Sequence, residues 1–164
     1  MNYMIFLTVL ILAVAAIALI WVSRGGLVSL ANIAEGTHAG LKTYLVDEVV
    51  AIRYLLAKVG SDDAHCGICD AADIPIGVMD DEASAIGLPI NVELLGSAES
   101  SRLMVAGAAI ADGAYVVPTD GGKVITLPTD AGTYYICGRA LTTAAADLDL
   151  VEVDPCVPVQ RVVT

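Results

Sequence analysis

Large aromatic side chains are almost missing. The 164 residues contain one Phe and one Trp, and both (Phe6 and Trp21) fall in the first 21 positions. Beyond them the only aromatics are five Tyr. The core must therefore be built from small aliphatic side chains, and the shortage of large anchors argues against a deep small-molecule pocket. Cationic side chains are also few, 8 against 19 acids, for a net charge of −11. That balance excludes a nucleic-acid grip, which needs clustered Lys and Arg to displace counterions from phosphates. Only two histidines occur, His38 and His65. Neither sits in a G-x-S-x-G, H-E-x-x-H or G-x-x-x-x-G-K-[ST] pattern, so no coherent catalytic constellation emerges. A hydrophobic fraction of 57% excludes a disordered chain.

Charge is wholly absent from Met1 to Ser23. Within that stretch Met4–Val22 is nineteen uncharged, mostly apolar residues. As a helix it would rise roughly 28 Å, the thickness of a hydrocarbon core, with Tyr3 and Trp21 at the two interfaces. It makes a poor cleavable signal, having no Lys or Arg before the apolar run and no clear small-x-small site after it. A transmembrane-like or packing helix is one reading of residues 1–29. The other is a mis-assigned start, with translation beginning near Val28 or Leu30, because composition changes abruptly there. From Ala31 to Thr164 the chain carries 7 basic and 19 acidic residues, a net of −12.

Three segments follow from this: 1–29 as the apolar head, 30–42 as an extended arm with no sustained period, and 43–164 as a β domain. In the last, short apolar runs recur every 8 to 14 residues with turn residues between them, the spacing of an all-β fold. Strands are expected at 52–59, 65–69, 74–79, 90–94, 102–106, 115–117, 123–127, 133–141, 148–153 and 157–163. Ile90, Val92 and Leu94 alternate and should face inward. Pro118–Gly122 reads as a hairpin turn, since Gly supplies positive φ. Val46–Leu56 could be helix or strand, and its β-branched residues favour strand. Pro155 and Pro158 place the last strand at an edge or a bulge. Thr142–Asp147 is too short for a stable helix.

One internal echo is present. Gly77, Ala83, Ala85, Ile90 and Val92 recur 61 residues later as Gly138, Ala144, Ala146, Val151 and Val153. A Gly within a strand permits the bend at which a sheet curls into a barrel. Chance in an Ala-rich chain is the competing explanation.

The cysteines offer little chemistry. Cys66 and Cys69 have C-x-x-C spacing, but Cys137 and Cys156 are far from them and from each other, whereas a structural zinc site usually shows two close pairs. On a strand, positions three apart point to opposite faces, so buried small hydrophobes are the expected role. Asp62-Asp63 and Asp80-Asp81-Glu82 match no calcium loop and read as solvated turns, as do Asp147 and Asp149. No metal and no cofactor is expected.

Several runs resemble a known family when taken in order. These are Ala31-Asn-Ile-Ala-Glu-Gly-Thr-His38, Ile76-Gly-Val-Met-Asp-Asp-Glu-Ala83, Asn91-Val-Glu-Leu-Leu-Gly-Ser97, Gly132-Thr-Tyr-Tyr-Ile-Cys-Gly-Arg-Ala-Leu141 and Asp149-Leu-Val-Glu-Val-Asp-Pro-Cys156. Together, over about residues 31 to 163, they are similar to the capsid decoration (cement) proteins of tailed bacteriophages. No single run is diagnostic, and the head lies outside the pattern. The resemblance implies a non-enzymatic, all-β protein, a small β-barrel or β-sandwich with an extended N-terminal arm, on the outer capsid surface of the virion. It implies the major capsid protein as partner, bound after shell expansion, and a homo-oligomer such as a trimer. The arm is the expected capsid or inter-subunit contact, through Ala31, Asn32, Ile33, Ala34, Glu35, Gly36, Thr37 and His38. Its main-chain groups would add to a neighbour's sheet edge. A membrane-anchored β domain of an envelope or of a membrane-associated phage component is the rival, if residues 4–22 are a genuine span.

Overall fold

The computed structural model of the protein describes residues 40–97 and 100–164. The apolar head, and most of the expected arm, lie outside the described residues. The arm's last two positions, Leu41 and Lys42, are instead the first of a strand, so the sheet begins earlier than composition suggested.

That strand, β1 (Leu41–Val46), opens a set of five with β2 (Leu56–Val59), β3 (His65–Ile68), β4 (Gly77–Met79) and β5 (Pro89–Leu94). They form a closed barrel in the order β1-β3-β2-β4-β5, with β5 paired back to β1. Only β1–β3 is parallel; the other pairs are antiparallel. Closure removes the sheet edges that would otherwise be exposed. As the alternation requires, Ile90 and Val92 are buried, and Leu94 packs against the same core.

A second set follows: β6 (Arg102–Val105), β7 (Tyr115–Thr119), β8 (Lys123–Thr126), β9 (Gly132–Ala140) and β10 (Leu150–Val163). Its order is β6-β10-β9-β7-β8. A single parallel bridge, Ala106 to Val124, joins β8 back to β6. It occupies the place of the Val46–Cys66 bridge of the first barrel. Strand for strand, the two sets have the same connections.

The echo in the sequence is therefore a tandem repeat of one barrel. Gly77–Leu94, Val78–Glu93 and Met79–Val92 are register partners on β4 and β5. The corresponding partners on β9 and β10 are Gly138–Pro155, Arg139–Asp154 and Ala140–Val153. The loop bridges repeat as well, Val50 with Ala83 and Ile110 with Ala144. Gly77 and Gly138 have the same reason to be glycine. A Cβ on Gly77 would lie 2.4 Å from Val92 Cγ1 and 2.6 Å from the Glu93 carbonyl oxygen; on Gly138, 2.4 Å from Val153 Cγ1 and 2.6 Å from the Asp154 oxygen.

Two expectations need correction. Val46–Leu56 is neither one strand nor a helix: β1 ends at Val46, β2 starts at Leu56, and Val50 makes only an isolated bridge. Val49 and Ile52 face solvent, and Tyr54 takes a left-handed φ of 67°, which interrupts extended backbone. The two strands expected at 148–153 and 157–163 are one, β10, of 14 residues. Its pairing with β9 shifts register between Pro155 and Val159, so the prolines mark a bulge, as read from the sequence. The turn between β7 and β8 lies where expected but is shorter: Pro118 and Thr119 still pair on β7, and Gly121 at φ 74° and Gly122 at φ 73° make the turn.

One apolar cluster fills the first barrel, around Val46, Met79, Ile90 and Val92. The other fills the second around Met104, Val116, Val124 and Val151, and takes in Leu56, Cys69, Val78 and Leu95 from the first. The outer side chains of β2 and β4 are thus part of the second barrel's core, and the barrels share a continuous interior.

Candidate functional site

The cysteines belong to the interior. Cys66 lies in the core of the first barrel and Cys69, just past β3, in the cluster shared with the second. The C-x-x-C spacing has sent the two thiols to different cores, as strand geometry dictates. Burial pushes the Cys66 thiol up to about 11 and the Cys69 thiol up to about 12. Cys137 and Cys156 are raised too, again chiefly by burial. Thiols held protonated at neutral pH are poor nucleophiles and poor metal ligands.

The acids are engaged in turns. Ser61 donates its backbone N–H and hydroxyl to Asp47 at 2.6 and 2.8 Å. Asp62 accepts from the Ala64 amide at 2.9 Å and pairs with His65 Nδ1 at 2.5 Å. That contact raises His65 above its ordinary value and lowers Asp62. Asp80 pairs with Arg53 at 3.3 Å, and Asp147 with Lys123 at 2.7 Å. Asp149 accepts from the Ala145 and Ala146 amides at 2.8 and 2.9 Å. Among the described residues no three His, Cys, Asp or Glu side chains converge on a common point. His38 lies outside the described residues.

Polar contacts lock the seam between barrels. Asp70 accepts from the Gly121 amide at 3.2 Å, and Asp120 reciprocally from the Ala71 amide at 3.3 Å. Gly122 donates to the Cys69 carbonyl at 2.7 Å, and Val105 to that of Tyr54 at 3.1 Å. A side chain at Gly122 would strike Leu55 and Ile68. Glu93 faces Arg102 at 2.6 Å, with both side chains no more than 20% exposed. The contact is a close ion pair across the seam. Burial nevertheless raises the Glu93 carboxyl, and the arginine only partly offsets it.

The remaining surface is where this chain can meet others. β9 and β10 continue past the barrel as a two-stranded ribbon, Gly132–Ile136 against Val159–Val163. Neither stretch has another ladder partner among the described residues. Val157, Val159 and Val162 are 55–64% exposed there. On the barrel proper, Leu103, Leu141 and Leu150 are 40–48% exposed. They surround Glu152, which pairs with Leu103 in register and accepts the Leu141 amide on its carbonyl. Periodicity did not reveal these residues as a surface, because apolar residues in strands read as core.

The family described as phage cement protein matches residues 46–155. The chain belongs to that family. Membership makes it a structural component of the phage head and places it in the virion, on the outer capsid surface. Among solved structures, the head fiber gp8.5 N base of bacteriophage phi29 shares the fold. It superposes with a TM-score of 0.52 at 17% identity, covering 72% of this chain and 94% of that one. No curated protein matches. The cement family match covers both barrels, from the end of β1 to the bulge in β10. The arm residues Ala31, Asn32, Ile33, Ala34, Glu35, Gly36, Thr37 and His38, expected to make the capsid contact, lie outside the described residues. Among the described residues no helix is long and apolar enough to cross a membrane; residues 4–22 lie outside them.

Proposed function

We propose that this cement protein binds the outer face of the assembled head and holds neighbouring copies of the major capsid protein together, without catalysing a reaction. Membership of the phage cement family carries the reading. The physics is mass action. A ligand that binds only the assembled lattice lowers its free energy by RT ln(1 + [L]/Kd), and many copies sum over a shell. A stiff two-barrel body with a shared core suits that task, because little conformational entropy is spent on docking. Buried, protonated thiols and turn-bound carboxylates fit a structural role. Self-association as a trimer is part of the proposal, since closed cyclic assemblies fit the local symmetry of a shell.

The arm from 30 to 42, through Ala31–His38, is proposed as one contact, its backbone pairing with a strand of the capsid. Deleting residues 30–39 spares β1. It should abolish retention on heads while leaving the far-UV circular dichroism of the body unchanged; unchanged retention removes the arm from the interface. For the whole reading, the test is co-sedimentation of the full chain with filled heads. A chain that stays in the free fraction overturns it.

A further inference from the structure

The tandem repeat supplies an internal control for surface residues. Each position on the second barrel has a counterpart in the same register on the first. Leu103, Glu152, Leu150 and Leu141 occupy the places held in the first barrel by Thr43, Asn91, Pro89 and Asp80. The correspondence extends to the hydrogen bonds. Asp80 donates its amide to the Asn91 carbonyl at 2.9 Å, as Leu141 does to Glu152 at 2.7 Å. Asp81 takes the Asn91 amide, as Thr142 takes that of Glu152. In the first barrel this face is an ordinary wet surface, with Thr43 bonded to Asn91 at 3.0 Å. In the second, the same backbone presents three leucines. The fold needs none of them there, because the first barrel closes without them.

The patch has a charged centre. Ser101 donates to Glu152 Oε1, and the second oxygen of this half-buried carboxylate has no protein donor among the described residues. Charge is also divided unevenly along the chain. Residues 40–97 carry 3 basic and 10 acidic side chains, a net of −7. Residues 100–164 carry 4 and 7, a net of −3. The first barrel carries more of the charge, and although it exposes Leu41, Ile74, Ile86 and Leu88 elsewhere, it has no leucine at the four matched positions.

We infer that the Leu103–Leu141–Leu150 face is the docking surface of the second barrel, and that its occupant is a basic, apolar patch on the outside of the head shell. Such a patch would cover the leucines and place a Lys or Arg against Glu152. A two-fold dimer through this face fits poorly, since patch against patch would bring Glu152 onto Glu152 without a counter-charge. This rests on the cement reading and deepens it. It orients the molecule, with the second barrel toward the shell and the first toward solvent.

The first barrel also dictates the test. The triple variant Leu103→Thr, Leu141→Asp, Glu152→Asn installs side chains that the same backbone already carries at the matching positions, so folding is preserved by design. Circular dichroism and the unfolding midpoint verify this. Wild type and variant are each added to expanded heads that lack this protein, and bound protein is measured after sedimentation. At least a tenfold loss of affinity is expected, the range for removing a few central contacts. The control on the first barrel, Thr43→Ala at the position matching Leu103, should bind as wild type does. If wild type binds and the triple variant binds equally, the docking surface is elsewhere while the cement role stands. If wild type does not bind, the cement role itself fails. If the variant instead changes the oligomeric state of the free protein, the face joins copies of this chain, and the inference is overturned.

Discussion

Glycine at 77 and 138 is fixed by contact. At both sites the space for a Cβ is filled by a valine methyl and a carbonyl oxygen of the neighbouring strand. Gly77→Ala or Gly138→Ala forces the strands apart and should cost at least about 2 kcal/mol in urea unfolding. Gly121 differs: its φ is positive but its surroundings are open. Gly121→Ala should cost only about 1–2 kcal/mol, from the left-handed backbone alone. The His65–Asp62 pair makes a prediction in pH. His65 is raised above 6.5, so its stabilising effect is complete below that value and is lost as pH rises through the raised pKa. Asp62 is lowered from 3.8, so its contribution holds above that value and is lost as pH falls through the lowered pKa. The pair therefore stabilises most between the two titrations. Nuclear magnetic resonance should show His65 titrating above its ordinary value in the wild type and returning toward it in Asp62→Asn.

At the scale of elements, the ribbon that extends β9 and β10 is the one part the first barrel does not share. β4 begins at the strand glycine, whereas β9 begins six positions before its own; β5 ends at Leu94, whereas β10 runs on to Val163. A two-stranded ribbon without a covering layer is marginal in water. Native-state hydrogen exchange should therefore show amides of 133–136 and 160–163 opening well below the global unfolding free energy. Amides of 139–140 and 151–153, inside the barrel, should open only with it. Equal protection throughout would mean that something covers the ribbon.

Much of the strand map was legible in the sequence because period-2 alternation and turn residues are local signals. Ile90–Leu94 and the turn at Gly121 and Gly122 are examples. The start of β1 was not, because Leu41 and Lys42 are indistinguishable from linker until β5 is known to pair with them. The 61-residue echo pointed to the curl at Gly77 and Gly138, but the repetition of a whole barrel needed the register of both halves. The leucine face was invisible, because an apolar residue in a strand says nothing of which side it faces until its partner strand is known. The membership of the cement family was legible in ordered runs, since turn and strand residues recur where a backbone repeats.

For the molecule as a whole, the sharing of Leu56, Cys69, Val78 and Leu95 with the second core decides how it unfolds. Neither barrel can open without exposing apolar surface of the other. Far-UV circular dichroism and hydrogen exchange of barrel amides should report one coincident transition. Two separated transitions would mean that the barrels are independent. Cutting between 97 and 100 should leave halves that do not fold stably alone, since each loses part of its interior.

The clamp at the seam also decides how the protein carries load. Asp70 and Asp120 each grip the backbone of the opposite barrel, beside the Gly122 amide bound to Cys69. Tension applied across the joint loads these bonds and the apolar core the two barrels share. Pulled from its two ends, the body should give way in a single rupture at one force, in place of the stepwise yielding of beads on a string.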